Sequence, residues 1–227
     1  MAEGARDGLV IRPITTARIA DYEAVMKTNS ITRSCWDIFP RRLNADGAAR
    51  RAFWKKKGLT HAEGNRRDAV AIVRKGKPFG LLAYDGSEPV GFLSAGPRSE
   101  FPRVDAAKAT PPVDDVPVWV VPCFYVRRSH RGRGVTTALL RAAVDYAAKS
   151  GAPAIEGYPR ADDAPRVASE SAWFGTEAQF RRAGYRKVRS VRKDLPRGWA
   201  PRVTMRATCA PSKTTSSASR TRSRAAS

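Results

Sequence analysis

Residues 118–126, VWVVPCFYV, form the most apolar run in the chain and constrain its fold more than any other segment. Both alternating faces are apolar, which predicts a central strand covered on two sides. Pro122 lies inside the run and lacks the N–H a sheet ladder needs, so the strand must bulge or break there. Directly after it come Arg127-Arg128-Ser129-His130-Arg131-Gly132-Arg133-Gly134-Val135-Thr136, then a helical pattern over 134–149. Val135, Leu139, Ala142 and Tyr146 form its apolar stripe, and Gly151 supplies the stop.

The remaining segments alternate in the same way. Residues 9–14 read as a strand, and 17–28 as a helix with Ile19, Tyr22, Val25 and Met26 on one face. Between 30 and 64 the pattern is mixed, with a helix over 46–57 and a short one over 66–74 ended by Gly76 and Pro78. Residues 80–84 and 90–95 flank Asp85-Gly86 and predict a hairpin. The Pro- and Asp-rich stretch 96–115 predicts a long loop over a substrate site. Strands over 154–158, 185–191 and 202–206 and a helix over 172–182 complete one mixed α/β domain, residues 1–206.

Composition removes several function classes. Three scattered cysteines and two histidines, His61 and His130, give neither a disulfide framework nor a zinc site, so no metal is expected. The polar start has no secretory pattern, and no run approaches the ~18 apolar residues of a membrane span, which predicts a cytoplasmic protein with no membrane partner. The net charge of +21 is unevenly spread. Residues 181–227 hold 14 Lys and Arg against one acid, Asp194. The Ser/Thr/Ala/Arg composition of 207–227 predicts a disordered tail. Its arginines leave a nucleic-acid partner as an alternative, although no reading module is recognisable. Cys123, inside the apolar run, reads as a small core residue or a reactive thiol.

The chemistry concentrates at 131–136. Glycines at 132 and 134 allow a tight turn and a close ligand approach. The helix that starts there offers unpaired N–H groups and its positive dipole end to an anion, and nearby arginines add charge. A pyrophosphate suits such a site. The triphosphate pattern GxxxxGK[ST] is absent. The dinucleotide pattern GxGxxG has Thr137 where the third glycine belongs, with Glu156 as a candidate ribose-binding acid. The pattern R/Q-x-x-G-x-G/A fits as Arg131-x-x-Gly134-x-Thr136, and a plain surface turn is the remaining reading.

Together with the hairpin GLLAYDGSEPVGFLSAGPR, the stretch VWVVPCFYVRRSHRGRGVTTALLRAAVDYA and the later FRRAGYRKV, this turn resembles the GNAT superfamily of N-acetyltransferases. The resemblance implies a mixed, largely antiparallel sheet flanked by helices, with strands splayed at the cofactor site. It implies acetyl-CoA as the acetyl donor, with Tyr125 and Val126 along its pantetheine arm. Its pyrophosphate would rest on Arg131, Gly132, Arg133, Gly134, Val135 and Thr136. The acceptor implied is an amine, on a small molecule or a protein.

Many family members carry a tyrosine that protonates the departing thiolate, and here that position is Phe180. Glu156 and Tyr158, two apart on one strand and so on one face, are the substitute candidates for proton transfer. The alternative for this pair is an arginine-bound carboxylate beside a packed phenol. Asp37, Glu100, Asp114 and Asp115 read as acids that attract a cationic amine or as ordinary surface charge.

Overall fold

The break anticipated at Pro122 divides the apolar run between two sheets. A computed structural model describes residues 8–43, 47–164, 173–194 and 200–209. In chain order the elements are β1 (Leu9–Pro13), α1 (Ile19–Met26), α2 (Ser30–Cys35), α3 (Ala48–Lys56), α4 (His61–Arg74), β2 (Gly80–Asp85), β3 (Glu88–Ser94) and β4 (Gly96–Pro97). There follow α5 (Pro102–Asp105), β5 (Trp119–Val121), β6 (Phe124–Val126), α6 (Val135–Lys149), β7 (Ala154–Gly157), α7 (Glu177–Arg182), β8 (Arg186–Arg189) and β9 (Thr204–Thr208).

One sheet has the order β1-β2-β3-β6 and the other β4-β5-β7-β9-β8. All pairs are antiparallel except β5 with β7, where Val120 faces Glu156. The fold is therefore mixed α/β and mostly antiparallel. β5 and β6 are two halves of one strand that changes partners at Pro122-Cys123, while β3 and β4 change partners at Ala95 opposite. A bond from Ser94 N–H to the Cys123 carbonyl (3.0 Å) holds the two kinks together. Past the break β6 pairs, among the described residues, with β3 alone, and a gap opens between β6 and β7.

Helix α6 covers one face through Val135, Leu139, Leu140, Ala143 and Ala147. These pack on β-strand residues of both sheets, among them Leu81, Leu93, Val126 and Ile155. Each buried leucine there stabilises the fold by roughly 1.5–3 kcal/mol. The expected stripe held at Val135 and Leu139, but Leu140 and Ala143 are the buried neighbours, with Ala142 and Tyr146 only partly covered. On the opposite face Tyr22 of α1 packs edge-on against Trp36 and Phe79, and its hydroxyl bonds the Trp36 carbonyl.

Several boundaries moved for identifiable reasons. Helix α4 starts at His61 rather than 66, because Thr60 and Glu63 close a reciprocal capping box, a device worth about 1 kcal/mol. Helix α2, which residues 30–35 did not announce, is capped by the Asn29 side chain. The long loop carries β4 and α5, the latter opened by Pro102 at its first position. Helix α7 begins at Glu177, under a Thr176–Gln179 capping box. Strand β9 runs to Thr208, and Cys209 beyond it is buried, so ordered chain continues past 206. Residues 210–227 lie outside the described residues. Among those described, no helix is long and apolar enough to cross a membrane.

Candidate active site

The turn 131–136 is built as its residue types require. Gly132 and Gly134 have φ of +75° and +79°, the left-handed region that glycine enters without steric cost. Gly134 is the N-cap of the fifteen-residue α6, and no side chain caps that end. A Cβ added at either glycine would meet nothing within 4 Å. The helix start thus presents backbone donors to open space, a geometry suited to phosphate oxygens.

The charged side chains divide. Arg133 is exposed and reaches within 3.9 Å of Asp85, which also lies 3.5 Å from His130 Nε2. Arg131 turns back toward the strand: its Nε donates to the Val126 carbonyl (3.2 Å), and its guanidinium sits 5.9 Å from the Tyr125 ring centroid. Arg131 therefore links the turn to the strand end, a role its spacing did not reveal.

The gap between β6 and β7 is lined on one side by Phe124 and Val126, which face α6 and Phe180. Tyr125 points the opposite way and stacks on Trp173. The Phe124 N–H, which faces the gap, donates to the Trp173 carbonyl (3.0 Å). Gly175, at φ +70°, lies so close that a Cβ there would fall 2.5 Å from Phe124 Cζ. The segment at 173–175 thus lies along the strand edge, which no local pattern in the sequence announced. Phe180 fills the space above Gly157, where any side chain would collide with its ring.

Glu156 and Tyr158 come together as their spacing predicts, and both are buried, 1% and 2% exposed. The Tyr158 hydroxyl donates to Glu156 Oε2 (3.0 Å) and accepts from Arg98 Nη1 (2.7 Å). Glu156 Oε1 accepts two bonds from Arg206, which also grips the exposed Asp114. Burial first, and then the Glu156 charge, push the Tyr158 phenol well above its ordinary value. The carboxylate is committed to arginine, while the phenol is held in one orientation at the end of β7. Asp114 and Glu100 serve surface ion pairs, Glu100 with Lys77.

Asp37 departs from the surface reading altogether. Only 1% exposed, it reaches into the double kink. Its Oδ2 accepts from Ser94 Oγ (2.6 Å) and Arg41 Nε (3.1 Å), and its Oδ1 from Cys123 Sγ (3.1 Å). Arg41 is itself clamped between the Phe79 and Phe101 rings, 4.4 and 4.2 Å from their centroids. Trp36 and Asp37 have φ of +49° and +57°, two successive non-glycine residues in the left-handed region. Such conformations cost of order 1–3 kcal/mol each and persist only where surroundings impose them. Burial is the largest influence on Asp37 and raises its pKa, opposed by Arg41 and the bonds from Ser94 and Cys123. Burial, then Asp37, likewise drives the Cys123 thiol well up, so Cys123 is no ready thiolate.

Comparison with known proteins identifies the family. A model of the acetyltransferase (GNAT) family matches residues 39–168. Among solved structures, yncA from Salmonella typhimurium, determined with its cofactor acetyl-CoA, is 17% identical at a TM-score of 0.47. That alignment covers 90% of this chain and 95% of yncA. A GNAT-family acetyltransferase from Streptococcus pneumoniae is 15% identical at a TM-score of 0.47, covering 89% of this chain and 99% of the other. No curated protein matches. With more than half of its length matched, the chain belongs to the acetyltransferase (GNAT) family, whose enzymes use acetyl-CoA as the acetyl donor.

Proposed function

We propose that this enzyme acetylates a primary amine, with the acetyl-CoA pyrophosphate on the turn 131–136. The observation that carries the reading is the uncapped start of α6, with a left-handed Gly134 and free space above both glycines. Backbone N–H groups around Gly132, Arg133, Gly134, Val135 and Thr136 hold the phosphates. Arg131 ties them to the strand end. A charge-assisted bond of this kind is worth about 1.5–3 kcal/mol. The pantetheine arm lies in the gap beside β6, along the backbone of Tyr125 and Val126. Bound there, acetyl-CoA supplies a thioester carbonyl that an amine can attack.

Tyr158 is the proton donor for the departing sulfur in this reading, and Glu156 with Arg98 orients its hydroxyl. Phe180 has no proton to give, and its ring walls the gap against Gly157. The test combines two measurements. Calorimetry with acetyl-CoA is expected to give saturable binding, and a panel of an amino-acid amide, a lysine peptide, a polyamine and an aminoglycoside is expected to release free thiol in at least one case. Absence of binding, or thiol release with alcohols and not amines, overturns the reading.

A further inference from the structure

Asp37 is a buried carboxylate that the reading above leaves without a task. It stands on the strand face that carries Cys123 and Tyr125, opposite α6, at the point where β5 ends and β6 begins. Its two oxygens are unequally committed. Oδ2 holds a hydroxyl and a guanidinium, whereas Oδ1 accepts, among the described residues, a single side-chain bond from a thiol. An S–H is a weak donor, and an ammonium N–H on Oδ1 would form the stronger, charge-assisted bond. Cys123, intermediate in exposure as a residue, is the neighbour whose side chain rests on that oxygen.

We propose that Asp37 is a catalytic residue of the acetyl transfer, the base that takes a proton from the acceptor's ammonium. This inference rests on the amine-transfer reading. The ammonium displaces the Cys123 S–H and bonds Oδ1. One N–H bond breaks, an O–H bond forms on Asp37, and the electron pair left on nitrogen attacks the thioester carbon. The C–S bond breaks with its electrons going to sulfur. The second proton shed by nitrogen goes to that sulfur by way of Tyr158, and Asp37 returns its own proton to solvent.

The surroundings suit a base of this kind. Arg41 from the same loop is, among the described residues, the cation bonded to Asp37. Tyr22 of α1, Cys35 of α2 and Cys123 at the break are neutral in their ordinary states, and each is pushed up in pKa with Asp37 among the causes. Burial raises the carboxyl toward the pKa of the amine it must deprotonate, which narrows the gap for proton transfer. The two left-handed residues Trp36 and Asp37 hold the carboxylate at the kink.

The experiment is the pH profile of kcat/KM for the fastest amine of the panel, with acetyl-CoA affinity measured in parallel by calorimetry. A base must be ionised, so activity falls as pH falls through its pKa. Ser94→Ala and Cys123→Ala each remove a donor that holds the Asp37 pKa down, and both are expected to move the acidic limb to higher pH. Asp37→Asn is expected to lower kcat/KM at least 100-fold and to abolish that limb, with acetyl-CoA affinity within threefold of the parent. An Asp37→Asn enzyme with parental turnover and limb overturns the proposal. If Asp37→Asn does not fold, an acidic limb unmoved in both Ser94→Ala and Cys123→Ala overturns it equally. A parent protein that neither binds acetyl-CoA nor releases thiol with any amine defeats the amine-transfer reading instead.

Discussion

The two ends of the proposed site are made of opposite materials. The phosphate end at Gly132–Gly134 is backbone facing open space, with no side chain capping α6. The chemical end is side chain packed against side chain, with Asp37 and Glu156 each 1% exposed and each bound by an arginine. Phosphates need only dipoles and room, so a turn is enough to receive them. Proton transfer needs titratable groups removed from water and held at fixed distances, and the groups proposed for it are of that kind. The difference predicts that substitutions at one end change binding and those at the other change rate.

The largest effect is expected at Gly134. With φ at +79°, a valine there is strained whatever the space around it. Gly134→Val should weaken acetyl-CoA binding by more than about 100-fold while circular dichroism stays native, because the added atoms project into open space. Parental binding by this variant would remove the turn from the site and break the comparison. Next, Tyr158→Phe is expected to lower kcat roughly 100-fold, in the range of lost general-acid catalysis, and to leave acetyl-CoA affinity unchanged. Glu156→Gln should lower kcat less, since Arg98 still holds the phenol. A change confined to KM would place these residues at the binding end.

Arg131→Ala is expected to cost about one to two decades of affinity, the worth of one charge-assisted contact. It sharpens the comparison, because Arg131 bonds the Val126 carbonyl and so joins the phosphate turn to the strand proposed to carry the pantetheine arm. The smallest effect is expected at Trp173, whose carbonyl occupies the Phe124 N–H in the gap. Trp173→Ala loosens that segment and should raise acetyl-CoA affinity a few-fold with a faster association rate, read by stopped-flow. Weaker binding would instead make Trp173 part of the cofactor's seat.

How much of this could be read from the residues followed from how local each cause is. The turn was legible because glycine spacing and a helix start are neighbours in sequence, and the strand break because Pro122 has one possible effect on a ladder. Helix α4's true start was equally readable, since Thr60 and Glu63 stand at capping-box spacing, but the basic residues around them masked it. Asp37 was not legible. Its burial depends on Ser94 and Cys123, 57 and 86 residues away, and on a left-handed loop that no glycine marks. For Glu156 an arginine-bound carboxylate was one of the two readings, but its partner Arg206, 50 residues away, was a tertiary fact.

The strand order carries a consequence for the order of synthesis. The sheet β1-β2-β3-β6 has all its strands once Val126 has been made. The second sheet seats β9, the last described strand, between β7 and β8. From the completion of Gly157 until Thr204 begins to emerge, β7 has one neighbour in place and one bare edge. At about 5–20 residues per second that interval lasts roughly 2–10 seconds. Unpaired strand edges invite pairing with other chains. A nascent chain stalled in this window therefore carries a finished first sheet beside an aggregation-prone half of the second, and β9 is the strand that ends the hazard.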